Sequence, residues 1–329
     1  MKKLINSTDT VLSESLDGFA AAHSGLVVLG EDRKFVRRKN LRNGKVALIS
    51  GGGSGHEPLH AGFVGHGMLD AACPGQVFTS PTPDQMVAAA AAVDTGSGCL
   101  FIVKNYEGDV MNFEMASEMA SREVMTVKTD DDVAVENSSY TTGRRGVAGT
   151  LVVEKVVGAA AEEGRKLADL RSLGEQVNGQ TRSMGVALTS CTVPAVGKPT
   201  FEIGDDEIEV GVGIHGEPGR RRVKLQSADA IASEMVGAIL KDLGPRRGSQ
   251  AIVVVNGFGA TPSMELYLMF NSASRMLAEA GVAVGRSLVG SYVTSLDMAG
   301  CSITVAVVDD ELLRLWDAPV LTPALRWKM

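Results

Sequence analysis

Three glycine-containing segments, residues 50–58, 104–109 and 211–219, each follow an apolar stretch of the chain. Glycine destabilises helix and strand interiors, but it allows the backbone to turn sharply or to approach a ligand closely. Loops positioned by a rigid scaffold are frequent sites of binding and catalysis. Because the three segments also carry two imidazoles and a carboxylate, they are the best candidates for a small polar functional site.

The order of apolar runs predicts an α/β fold. We expect strands at 46–49 and 99–104, and a helix at 57–64 after the first glycine-containing loop. Strands that alternate with helices favour parallel pairing. Farther along, residues 166–181 predict a polar connecting helix, and alternating polarity over 200–211 predicts an exposed antiparallel hairpin.

The length of 329 residues exceeds the size at which one hydrophobic core usually keeps growing. We therefore expect two α/β domains, each with a mostly parallel or mixed sheet flanked by helices. Residues 1–182 would form an N-terminal domain with the glycine-rich loop and Asp109, and residues 183–329 a C-terminal domain that carries His215. The 38 glycines and the low aromatic content of 5% are typical of such folds.

The charge balance argues against a nucleic-acid surface, since the net charge is -7 and a short basic run such as residues 220–222 is usually a solvated loop. No apolar run approaches the ~20 residues needed to cross a bilayer, so no membrane association is expected. The four cysteines lack metal or redox spacing, and the first residues lack a secretory leader. These features favour a cytoplasmic protein.

Familiar nucleotide and metal motifs are absent from the first loop. A phosphate-binding P-loop needs Lys followed by Ser or Thr, where this chain has His56 and Glu57. The run from His56 to His60 matches the His-Glu-x-x-His pattern of zinc proteases, but Pro58 opposes the continuous helix which that chemistry requires. No metal site is expected, and His23 and His66 are interpreted as structural.

Two residues have competing interpretations when considered alone. Asp109 stands where a helix N-cap belongs, but it also follows a strand at the sheet edge where substrates usually bind. His215 lies between Gly213 and Gly216, and Pro218 stiffens the same turn. A neutral imidazole is a competent nucleophile near pH 7, although a loop histidine without a role fits the pattern equally well.

Considered together, nine motifs resemble the dihydroxyacetone-binding subunit of the phosphoenolpyruvate-dependent dihydroxyacetone kinase family. The similarity covers nearly the whole chain, and several motifs in order are more specific than any one of them. They lie at residues 50–58, 78–82, 103–109, 142–146, 191–194, 211–219, 260–262, 294–298 and 316–327. Two departures are a short stretch at 243–250 and a divergent sequence at 220–224.

The resemblance implies a role for each matching residue. His215 would add to the ketone carbon as a covalent hemiaminal, and Asp109 would be the general base for phosphoryl transfer, with His56 beside it. Such a base contributes about 10² to 10⁴ in rate. The substrate-binding set implied in this way is Gly53, His56, Ser80, Lys104, Asp109 and His215.

The resemblance also implies partners. This chain would hold no cofactor, and ADP or ATP with Mg would belong to a separate kinase subunit, recharged by a phosphotransferase-system protein. By the same resemblance we expect no nucleotide-binding domain in this chain, and a homodimer is expected. The product would be dihydroxyacetone phosphate. Two alternatives remain open, a ketose-sensing regulatory paralogue and a kinase subunit for a four-carbon ketose such as erythrulose.

Overall fold

The computed structural model describes residues 2–135, 143–217 and 219–329. Their helices alternate with strands along most of the chain. The helices are α1 Val11–Ala22, α2 Pro83–Val93, α3 Glu107–Met119, α4 Gly149–Glu162, α5 Leu167–Gly179, α6 Ala228–Leu243, α7 Ser263–Glu279 and α8 Asp310–Trp316. The strands are β1 Val27–Leu29, β2 Val36–Arg38, β3 Ala47–Ser54, β4 Ala71–Val77, β5 Cys99–Lys104, β6 Val124–Thr129, β7 Thr181–Ala187, β8 Glu207–Val210, β9 Arg221–Lys224, β10 Gln250–Gly257, β11 Ala283–Gly290, β12 Gly300–Val308, β13 Val320–Leu321 and β14 Arg326–Trp327.

The first sheet has the strand order β1-β2-β4-β3-β5-β6. Its inner strands β4, β3, β5 and β6 are parallel, as the alternation of strands and helices predicts. The short strands β1 and β2 close one edge in antiparallel fashion. Every residue of β3 and β5 is buried, so the carboxyl ends of these two strands lie in the interior of the molecule.

The second sheet has the order β11-β10-β12-β7-β8-β9. Only the β10–β11 pair is parallel, and the other neighbours are antiparallel. Both sheets are thus mixed and flanked by helices, which confirms the predicted fold class. The predicted division at residue 182 falls inside β7, and the two-domain description stays a prediction.

Helix α4 lies between the two sheets. Residues 149–161 of it are buried, and its apolar side chains share one cluster with Leu48 of the first sheet and Ile252 of the second. The helix approaches the backbone closely at Gly158, where a Cβ atom would lie 2.5 Å from the Gly67 carbonyl oxygen. Neither α4 nor any other helix of the described ranges is long and apolar enough to cross a bilayer.

Two local predictions are wrong. The helix expected at 57–64 is replaced by turns and a short 3₁₀ segment at Ala61–Phe63. The backbone N–H groups of Phe63 and Val64 donate to carbonyls three residues back, at His60 and Ala61, and the chain then turns at Gly67, where φ is 79°. The hairpin expected within 200–211 is also absent, because β8 pairs with β9 instead and the glycines between these strands form a long turn.

Candidate active site

A cavity of about 710 Å³ opens where the carboxyl ends of β3 and β5 face the turn between β8 and β9. Ligands commonly bind at this edge of parallel strands. Four of the six predicted site residues line the cavity, namely Gly53, Ser80, Asp109 and His215. A larger open groove of about 810 Å³ runs along α4 and α8 on charged residues, and it contains none of the predicted set.

Asp109 lies on the wall formed by the first sheet. It is the third residue of α3, after the N-cap residue Tyr106, so the predicted N-cap role for Asp109 is wrong. Its Oδ2 atom lies 3.3 Å from Nζ of Lys104, the last residue of β5. Its Oδ1 atom is buried and has no hydrogen-bond partner. A carboxylate held by one oxygen while the other is free can accept a proton from a ligand.

Lys104 is fully buried behind Asp109 and does not line the cavity. Its ammonium lies 3.2 Å from the Gly51 carbonyl oxygen and 3.0 Å from Nε2 of His60. Two glycines allow close contacts on this wall of the cavity. A Cβ atom on Gly52 would lie 2.2 Å from the Lys104 Nζ atom, and one on Gly53 would lie 2.6 Å from the Thr79 backbone nitrogen.

His56 is buried beside the cavity, where it stacks on Phe78 with ring centroids 5.0 Å apart. Its Nδ1 atom is 2.8 Å from the carbonyl oxygen of Thr294. Since a carbonyl only accepts hydrogen bonds, Nδ1 carries the proton and Nε2, which has no partner, is left as an acceptor. Burial, followed by the charges of His215 and Lys104, lowers the pKa of His56 well below its ordinary value.

His215 lies on the opposite wall, in the turn between β8 and β9. Its ring meets three others edge-on, with centroid distances of 4.5 Å to Tyr106, 4.7 Å to His56 and 5.3 Å to Phe78. The side chain keeps 17% of its surface exposed. The ring therefore has a fixed orientation and an accessible edge, as a nucleophile requires. Pro218, predicted to stiffen this turn, lies outside the described residues.

Glu217 orients His215 and is a residue to which sequence reasoning gave no role. One carboxylate oxygen accepts a hydrogen bond from the backbone N–H of His215 at 2.8 Å, and the other lies 3.8 Å from its Nδ1 atom. Burial alone would raise the pKa of Glu217, but the hydrogen bond and charge of His215 and the charge of Arg145 outweigh it and hold the pKa at about 2.

Arg145 connects this wall to the interior. It is fully buried, with Nη1 3.6 Å from Glu217 and Nη2 2.6 Å from Asp132, and it donates to the Gly211 carbonyl at 2.7 Å. The Tyr106 hydroxyl lies 3.4 Å from the same Glu217 oxygen. Arg145 and Glu217 lie within two of the motifs that carry the family resemblance. Those motifs were the sequence signal that could have identified both residues. Thr142, in the same motif as Arg145, lies outside the described residues.

The remaining histidines have separate partners. The Nδ1 atom of His60 is 2.7 Å from Glu154, and that of His66 is 3.5 Å from Glu162, whereas the His23 ring packs at a tilt against Phe19. Over the described ranges no group of three or more His, Cys, Asp or Glu side chains is arranged to hold a metal ion.

An imidazole and a carboxylate thus line one polar cavity at the carboxyl ends of parallel strands, where small ligands commonly bind. The family model for the Dak1 domain matches residues 17–324, and the chain belongs to this family. This confirms the family resemblance found in the sequence.

Two relatives of similar length align with the chain almost from end to end. The chain is 51% identical to the dihydroxyacetone-binding subunit DhaK of PTS-dependent dihydroxyacetone kinase 1 from Listeria innocua, covering 94% of this chain and 95% of that protein. It is 49% identical to the corresponding subunit of the PEP-dependent kinase of Escherichia coli, covering 99% of both. Among solved structures, the dihydroxyacetone kinase operon co-activator Dha-DhaQ matches with a TM-score of 0.89 and 34% identity, over 94% of this chain and 97% of that one.

Proposed function

We propose that this chain is the ketose-binding subunit of a dihydroxyacetone kinase and that it holds dihydroxyacetone covalently through His215. The main support is the cavity that His215 and the free Oδ1 side of Asp109 share, in a chain about half identical to kinase subunits with that name. The product of the complete enzyme is dihydroxyacetone phosphate.

The covalent step needs only this chain. The unprotonated ring nitrogen of His215 attacks the ketone carbon, an N–C bond forms, and the electron pair of the C=O π bond moves to the oxygen. The oxygen gains a proton and the imidazole loses its N–H proton, so the hemiaminal is neutral. Glu217, 3.8 Å from Nδ1, faces the nitrogen that gives up the proton. An alcohol such as glycerol lacks the carbonyl carbon, so this step selects ketones by reactivity.

The tether presents the terminal hydroxyl of the ketose to the opposite wall. There Asp109 accepts the hydroxyl proton as the oxygen attacks the phosphorus and the bond to the nucleotide leaving group breaks. His56 offers its Nε2 lone pair to the same region, Lys104 holds Asp109, and Gly53 and Ser80 bound the cavity. Fixing the substrate replaces a diffusive encounter with a positioned one.

Phosphoryl transfer also requires a partner. A separate kinase subunit would hold ADP or ATP and Mg, and a phosphotransferase-system protein would recharge it. This chain would form a homodimer in the cytoplasm, a location that suits its four buried, unpaired cysteines.

A regulatory role is the second candidate, because a structure similar to this one at 34% identity is named an operon co-activator. In that case the chain would bind the ketose and signal its presence to a transcription factor. The free Oδ1 atom of Asp109 and the free Nε2 atom of His56 favour the kinase subunit, since a sensor needs no base. A four-carbon ketose such as erythrulose remains an alternative substrate, since one extra carbon changes binding by only about 1–3 kcal/mol.

Mass spectrometry under non-denaturing conditions tests the tether. The chain mixed with dihydroxyacetone should gain the mass of one ketose, and His215→Ala should abolish the gain. His23→Ala, which removes a histidine remote from the cavity, is the matched control and should keep it. An adduct that survives in His215→Ala would refute the assignment. Adding a cognate nucleotide-binding subunit and its donor then separates the two functions, because only a kinase subunit supports phosphate ester formation.

A further inference from the structure

A row of buried polar side chains extends from Asp109 into helix α4. Behind Lys104, the ring of His60 lies with Nε2 3.0 Å from the ammonium and Nδ1 2.7 Å from Oε1 of Glu154. Glu154 and Lys104 are fully buried, and only 6% of His60 is exposed. The row Glu154–His60–Lys104–Asp109 therefore connects the helix between the two sheets with the cavity wall.

The hydrogen-bond inventory of Lys104 defines the state of His60. An ammonium has three N–H donors and no acceptor. The three neighbours of Nζ are the Gly51 carbonyl oxygen, Asp109 Oδ2 and His60 Nε2. All three donors are used only if His60 Nε2 accepts, which requires the ring proton to be on Nδ1.

The other side of the ring points to the same tautomer. The Ser50 hydroxyl donates to the Ile102 carbonyl at 2.6 Å, and its oxygen, 3.0 Å from His60 Nδ1, is then placed to accept from an Nδ1–H group. Burial and then the charge of Lys104 lower the pKa of His60 well below its ordinary value, so the ring is neutral. Burial raises the pKa of Glu154 to about 8. Its Oε1 atom accepts from Nδ1–H when the carboxyl is ionised, and it can still do so in the protonated form with the proton on Oε2, which has no other partner.

We propose that Glu154 is a positioning residue for the base Asp109: it fixes His60 in the Nδ1–H tautomer, and His60 in turn aims the Lys104 ammonium at one oxygen of Asp109. This inference rests on the proposed function for the role of Asp109 as base. It adds that the orientation of the base depends on a carboxyl group two side chains behind Lys104.

The tautomer can be measured on the intact chain without substrate or partner. With ¹⁵N-labelled histidine, two-dimensional ¹H–¹⁵N spectra distinguish the two ring nitrogens, and the sequence has only five histidines. The His60 signals are assigned by their loss in His60→Asn. We expect a protonated Nδ1 and an unprotonated Nε2. An Nε2–H ring or a charged imidazolium would overturn the proposal.

Two variants of Glu154 then test the role. Glu154→Met has a similar length but only a weakly accepting sulfur, whereas the matched control Glu154→Gln keeps an acceptor oxygen. In the reconstituted kinase, Glu154→Met should shift part of the His60 population to the Nε2–H form. It should also lower kcat about tenfold or more, because small displacements of a catalytic group are costly. KM for the ketone should change little, since His215 is untouched. Glu154→Gln should stay near wild type in all three readouts.

Equal behaviour of the Met and Gln variants in ring signals and kcat would refute the positioning role. Thermal unfolding of both variants shows that each is folded, and a general packing defect would raise KM and lower kcat without changing the tautomer. The proposed function fails separately. If the wild-type complex formed no phosphate ester, the kinase assignment would be wrong, while the spectra of wild-type His60 would still decide whether Glu154 and Lys104 fix its tautomer.

Discussion

The two walls of the cavity are built differently. The Asp109 wall continues a buried parallel strand of the first sheet, and only 3% of this residue is exposed. The His215 wall is a turn between β8 and β9 at the antiparallel edge of the second sheet, and its ring remains partly exposed. The proposed base is therefore held by the strand and helix of the first sheet, whereas the proposed nucleophile lies on a turn that side-chain contacts must hold.

A buried charge network compensates for the weaker scaffold of the second wall. Glu217 and Arg145 bind the turn to Asp132 in the first half of the chain, and Tyr106 adds a hydroxyl from the end of β5. Buried ion pairs can thus fasten a loop histidine to the rest of the chain where no strand of the sheet does so. Substitutions on either wall should therefore have separable effects.

The largest effect is expected on the Asp109 wall. Asp109→Asn removes the proton acceptor with little change in shape, so kcat of the reconstituted kinase should fall by about 10² to 10⁴. The ketose adduct on His215 should persist, as measured by mass. Glu107→Gln, an exposed acid of the same cavity, is the control and should keep most activity. Loss of the adduct in Asp109→Asn would show that the two walls do not act independently.

On the other wall the main cost should be in stability. Arg145→Met leaves Asp132 and Glu217 buried without their cation, which should reduce the free energy of unfolding by about 3–5 kcal/mol. The neighbouring Arg144 pairs with Asp242 near the surface, so Arg144→Met should cost only about 0–1 kcal/mol. Urea denaturation measures both. Similar losses of stability in the two variants would contradict the difference expected between the buried ion pairs of Arg145 and the Arg144 pair near the surface.

A smaller, pH-dependent effect should come from Glu217. Its pKa is about 2 in the folded chain against 4.5 as the ordinary value, so its ionised form stabilises the fold above about pH 5 by roughly 3 kcal/mol. This contribution is lost as the pH falls towards 2. The stability difference between wild type and Glu217→Gln should therefore shrink between about pH 5 and pH 2 in urea titrations. A difference that stays constant over this range would contradict the ion-pair account of the turn.

Much of the site could be predicted from the sequence because its residues lie in short motifs with glycine. Gly53, Asp109 and His215 stand beside backbone that must turn, and the structure brings them to one cavity. The parallel core of the first sheet also follows from the alternation of strands and helices. These features are encoded locally, within a few residues of the chain.

The rest depends on contacts between distant segments. Nothing near Glu217 shows that Arg145 will reach it, and the antiparallel partner of β8 begins only at Arg221, well after β8 ends at Val210. For Glu154 the sequence offers only a weak indication of a role, namely an acidic side chain within a largely apolar helix. Its partner His60 belongs to a motif that resembles a zinc site, and only the fold shows that this ring meets Lys104 instead.

The position of α4 limits where the chain can be truncated. Since this helix packs against strands from both halves, a fragment that stops at residue 182 would uncover apolar surface that the second sheet otherwise shields from water. Such a truncation should misfold or aggregate even though it keeps the whole glycine-rich loop. Studies of ketose capture by this chain therefore call for the uncut polypeptide.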